Sequence, residues 1–139
     1  FGRGALPDYA WNKLERTVLQ HRDAVALAIE RGVRVVAGTD SITTGPETAL
    51  PWGLHATELE WLVKAGMTPL QAIRSATADA PATLGPQAPR SGRLEPGYDA
   101  DVIALATNPI DDITSLQDTA NVTHVWKAGE SEKAPTPSS

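Results

Sequence analysis

Asp40 is the side chain best placed to do chemistry, because the residues before it carry its carboxylate to the end of an expected strand. The run Val33-Arg34-Val35-Val36-Ala37 is apolar apart from Arg34, and its valines are β-branched. Such a run reads as a short strand packed inside an α/β fold, with Arg34 at its mouth. Gly38 and Thr39 end the strand, and Asp40 opens a polar loop rich in Gly and Pro. In parallel α/β folds the chemistry gathers at the carboxyl ends of strands. An aspartate there suits a metal ligand or a proton carrier; the competing reading is a helix or turn cap. The three histidines, His21, His55 and His124, have no short metal-ligand spacing to one another. His55, one loop beyond Asp40, is a candidate for the wall of a substrate pocket, or a polar residue near a helix start. Trp52 has two similar options, pocket wall or loop packing. Glu58 and Glu60 are either binders of a basic substrate or, the favoured reading, part of a solvated helix face.

The elements that must hold these residues follow from periodicity. Trp11, Leu14, Val18, His21, Val25 and Ala28 recur at three- and four-residue spacing and predict one stripe along a long helix. That places His21 as a buried or half-buried packing residue. Gly32 follows as the permissive residue past the last turn. A helix running straight into the strand over 33–38 is an αβ unit, the half-step of a parallel sheet. Residues 41–54 form a loop longer than the usual connection of about 2–6 residues, and such loops tend to carry function. A second helix is expected from about Ala56 to Ala65, with Leu59, Leu62 and Val63 inward. Thr68-Pro69-Leu70-Gln71 predicts a helix start, with Thr68 as cap, Pro69 at the first helical position and Gln71 closing a capping box. Asp79 is expected to cap one more short helix that ends near Gly85.

Beyond residue 92 the period becomes extended. Val102-Ile103-Ala104-Leu105 reads as a buried strand and Val122 to Lys127 alternates as a half-buried one, with turns at Pro96-Gly97 and Asn108-Pro109. Ser131 to Ser139, with two prolines and three serines, reads as a disordered tail. The expected organisation is an α/β portion over 1–91, a smaller sheet layer over 92–130 and a tail over 131–139.

Composition narrows the class. The 139 residues are 41% hydrophobic and 21% charged with a net charge of −5, ordinary for a globular protein. Neither the mild acidity nor the spread of Lys and Arg points to nucleic acid. No apolar stretch approaches the roughly 20 residues needed to span a bilayer, so no membrane partner is expected and a cytoplasmic setting is favoured. With no cysteine there is no disulfide, zinc-thiolate site or thiol catalysis. The chain begins with Phe1 and its one methionine is Met67, so function is expected to belong to something longer.

Several of these motifs occur together in one known order. Gly32-Val33 through Gly38-Thr39-Asp40, Glu58 through Thr68-Pro69, Ala72-Ile73-Arg74-Ser75-Ala76-Thr77, Gly92 through Asp101, Asn108-Pro109 and Val122 to Gly129 resemble the metal-dependent amidohydrolase superfamily. Within it the chain looks most like the imidazolonepropionase- and prolidase-like branch. The likeness spans about residues 11–129.

The resemblance implies an α/β fold that is incomplete here: the last strand and flanking helices of a (β/α)8 barrel, followed by the C-terminal strands of a small composite β-sandwich. It implies that Asp40 binds a divalent metal, zinc foremost, as one or two ions, and takes a proton from the metal-bound water attacking a substrate carbonyl. The implied activity is hydrolysis of C–N bonds in small amides, dipeptides or cyclic amides. The family's other metal ligands would lie upstream, in the same protein or in another chain completing the barrel, so the chain alone is expected to be inactive. With a barrel's strand edges and helix faces uncovered it is also expected to be marginally stable or self-associating. A non-catalytic remnant or partner-binding subunit is the alternative. A small signalling domain phosphorylated on Asp40 is disfavoured, because the paired acids and later lysine it needs are missing.

Overall fold

The structure is a computed structural model that describes residues 7–40 and 53–135. Helix α1 (Asp8–Glu30) is long and starts at Pro7, with Asp8 in the first turn favouring the helix dipole. It stops where Gly32, at φ 71°, lets the chain turn back. The Gly32 N–H then donates to Ile29 O and the Val33 N–H to Ala28 O, at 3.0 and 2.9 Å, which closes a Schellman cap. The apolar stripe of α1 is only partly used. Val25 packs against the core, whereas Leu14 and Val18 are exposed. His21 is exposed as well, so the expected packing histidine is corrected: it borders an open groove shared with Glu58 and Trp61 and is not packed beneath them.

Residues 33–40 carry no regular structure and form no strand ladder, a correction to the expected buried strand over 33–38. The cause is pairing. A parallel strand exists only through neighbours, and the described sheet lies elsewhere in the chain. One face of the segment still behaves as the valine pattern predicts. Val35 and Ala37 pack on the core and the Ala37 N–H donates to Ser75 O at 3.2 Å, while Val33 is exposed.

The core is small and sits between two short helices and a 3-10 turn. Helix α2 (Thr57–Lys64) presents Leu59 and Leu62, helix α3 (Pro69–Ala76) presents Ala72, and the 3-10 turn Ile113–Gln117 presents Ile113. Helix α3 begins as its sequence demands. Thr68 Oγ1 accepts from the Gln71 N–H at 3.2 Å and Gln71 Oε1 accepts from the Thr68 N–H at 2.8 Å, a complete capping box ahead of Pro69. A 3-10 segment follows over Ala80–Gln87, broken at Gly85 (φ 58°) before Pro86. Asp79 does not cap it through its side chain; its carboxylate instead accepts from Arg74 Nη2 at 3.4 Å.

The remaining elements form an antiparallel sheet in the order β1 (Val102–Leu105), β2 (Val122–Lys127), β3 (Glu130–Lys133). Asn121, buried at the entry of β2, ties the connection together. Its Oδ1 accepts from the Thr107 N–H and hydroxyl and its Nδ2 donates to Ser115 O. Strand β3 corrects the expected tail, which was placed from Ser131 onward. Lys127 pairs with Glu130 across a two-residue turn in which Ala128 and Gly129 both have positive φ, 51° and 83°. Such a turn matches strand twist, and it folds a wholly polar segment onto β2. The Ala128 N–H is held by Asp101 Oδ1 at 2.8 Å and the Gly129 N–H by Ala100 O at 3.0 Å. No described helix is long and apolar enough to cross a membrane.

Candidate functional site at the end of the 33–40 segment

Asp40 closes the 33–40 segment in the left-handed region, at φ 49°, and is exposed. Aspartate tolerates this conformation better than most residues, and single residues held there cluster at functional sites. Immediately before it, Gly38 and Thr39 line a cavity of about 310 Å³. His55 and Glu58 close the cavity from the entry and first turn of α2, and Ala76 of α3 forms its floor. His55 is half-buried, and its carbonyl accepts the Glu58 N–H at 3.1 Å, which fixes the two side chains one helical turn apart.

The sequence-derived candidates thus divide. His55 lines the cavity together with Thr39, the residue before Asp40, whereas Asp40 itself is not part of the lining. Trp52 lies outside the described residues. His21 faces a second groove, of about 170 Å³, between α1 and α2. His124 belongs to the sheet, stacked parallel on Trp126 with ring centroids 5.2 Å apart and Nδ1 3.0 Å from Thr123 Oγ1.

Glu58 departs from the favoured solvated-face reading. It is half-buried, it lines both the cavity and the His21 groove, and burial raises its pKa while the nearby His21 offsets that in part. A signal was present in the three-residue interval from His55, which places both at one helix entrance. Glu60 behaves oppositely. It pairs with Lys64 and accepts from Gln117 Nε2 at 2.8 Å, and these hydrogen bonds hold its carboxyl below the usual range. Glu60 therefore ties α2 to the 3-10 turn and plays no part in the cavity. Among the described residues no three His, Cys, Asp or Glu side chains converge as a metal site.

The sequence model of the amidohydrolase family matches residues 12–131, a stretch that takes in α1, the Asp40 segment, both short helices and the sheet. The chain belongs to the amidohydrolase family. It is 47% identical over 135 residues to ochratoxinase of Aspergillus niger, covering 96% of this chain and 26% of that protein. The crystal structure of A. niger ochratoxinase superposes with a TM-score of 0.80 at 46% identity, over 94% of this chain and 28% of the other. A Xaa-Pro dipeptidase solved with methionine in its active site gives a TM-score of 0.66 at 34% identity, over 81% and 25%. This amidohydrolase chain therefore spans about a quarter of the length of the relatives it matches.

Proposed function

We propose that this chain is the closing part of an amidohydrolase barrel within a longer enzyme that hydrolyses C–N bonds of small amides, dipeptides or cyclic amides. The observation that carries the reading is the family match over residues 12–131, which runs through the Asp40 segment. The geometry agrees with it. Val35 and Ala37 of this segment pack on the core and it has no partner strand among the described residues, as a last barrel strand lacks one when its neighbours come from another part of the protein.

Asp40 fits one ligand position of a divalent metal, zinc foremost, at the carboxyl end of that strand. The described residues do not complete such a site, since zinc takes three or four protein ligands. The remaining ligands come from outside this chain. When bound, the metal activates water and polarises the scissile carbonyl. The residues of this chain then have two tasks. Asp40 takes the proton from the attacking water and passes it to the leaving nitrogen as the C–N bond breaks, a transfer that a carboxylate within hydrogen-bond reach performs well. Gly38, Thr39 and His55 form the wall against which the substrate rests.

The test is a panel of dipeptides and N-acyl amino acids offered to the complete enzyme, with released amine measured before and after chelation. Cleavage that chelator abolishes and added zinc restores is expected. An enzyme that releases no amine from any of them, with metal supplied, would overturn the hydrolase reading.

A further inference from the structure

We propose that Glu58 forms, in the cavity beside Asp40, a subsite for a positively charged group of the substrate. The inference rests on the amide-hydrolase reading and narrows it to amides or peptides that carry an ammonium or guanidinium group near the scissile bond.

The lining of the cavity carries the argument. Apart from Thr39, His55 and Glu58 its lining is glycine, alanine and Leu59, and Glu58 is its one acidic side chain among the described residues. No described lysine or arginine lines it. The Glu58 carboxylate accepts no hydrogen bond and forms no salt bridge within the described structure, and the charge partner nearest in effect is His21, across on α1. Arg22, which shares the second groove with Glu58, is placed over the Trp61 ring, 5.5 Å from its centroid. Half-burial without a cation is costly for a carboxylate, and the rise in the Glu58 pKa reflects that desolvation. Glu60, two residues on, shows the contrast: with Lys64 and Gln117 beside it, its pKa falls.

A carboxylate in this state gains most from a cation that arrives with the substrate. The hydrogen bond so formed is charge-assisted and lies next to the strand end where the bond is cut. Glu58 lies in the first turn of α2, where the helix dipole favours negative charge and so favours the carboxylate that partners an arriving cation.

The experiment compares two dipeptides that differ only in lysine against norleucine at one position, placed in turn on each side of the scissile bond, with the complete enzyme. For one placement the wild type is expected to prefer lysine by about tenfold in kcat/KM, the scale of one hydrogen bond to a charged group. Glu58→Gln should bring that ratio toward one, through a higher KM for the lysine substrate, and Glu58→Asp should retain part of the preference. A ratio that Glu58→Gln leaves intact, or a wild type indifferent to lysine at both positions while still cleaving both peptides, would overturn the subsite alone. A wild type that cleaves neither would overturn the hydrolase reading and the subsite with it.

Discussion

Gly92 joins the helical part of the chain to the sheet, and replacing it with alanine should be costly for a reason the geometry makes explicit. Its φ is +76°, and a Cβ built there would lie 2.4 Å from Thr77 O and 2.6 Å from Thr77 C. Thr77 has little room to retreat. Its hydroxyl donates to Ile73 O at 2.8 Å and its N–H to Arg74 O at 3.2 Å, so both are locked to the end of α3. The left-handed conformation costs an L-residue about 1–2 kcal/mol, and forcing atoms into packed backbone adds about 1–3 kcal/mol. Gly32→Ala isolates the first contribution, because Gly32 has a similar φ of +71° with nothing within 4 Å of its Cβ position. Urea unfolding followed by tryptophan fluorescence would give both values from midpoint shifts at a common slope. Gly32→Ala should lose about 1–2 kcal/mol and Gly92→Ala about 2–5 kcal/mol. Equal losses would refute the claim that the approach of residue 92 to Thr77 is a packing constraint.

Thr68→Ala removes one half of the capping box and leaves the Gln71 N–H without its partner, so stability should fall by about 1 kcal/mol. A double-mutant cycle with Gln71→Ala should give less than the sum of the single losses, and strict additivity would count against a reciprocal box. The pH dependence of Glu58 has a definite sign. Burial raises its pKa in the folded state, so the native protein binds that proton more tightly than the unfolded chain. Its contribution to stability therefore falls as pH rises from the ordinary carboxylate range through the raised folded value. Glu58→Gln lacks that loss, and its melting temperature relative to wild type should increase between about pH 4 and pH 7. A relative decrease over that window would show that the charged form is favoured in the fold.

The sequence is most legible where local chemistry decides. Thr68, Pro69 and Gln71 specify the start of α3 without help from distant residues, and the alternation from Val122 to Lys127 is enough to place β2. It is least legible where structure depends on partners that the local pattern does not contain. The valines of 33–36 have the composition of a buried strand, yet a ladder needs neighbouring strands, and the described chain supplies none to that segment. The stripe on α1 fails in the same way, because hydrophobic spacing marks a face meant for burial without providing the surface that buries it. Strand β3 was missed for the opposite reason. Glu130-Ser131-Glu132-Lys133 has no apolar alternation, and the turn at Ala128-Gly129, with Ala128 at positive φ, forms the strand. For the candidate site, the strand-end pattern singles out Asp40 and the distance along the loop singles out His55. Glu58 looked like a surface acid, because half-burial between α1 and the Thr39 wall is a property of the packing and not of the helix on its own.

Turnover of Asp40→Asn in the complete enzyme tests the central claim most directly. Asparagine keeps the size of the side chain and tolerates positive φ, but it can neither take a proton nor bind a cation as a carboxylate does. On a dipeptide that the wild type cleaves, kcat should fall by about 10²–10⁴ with the circular dichroism spectrum unchanged. Turnover near that of the wild type would remove Asp40 from the chemistry and contradict the account.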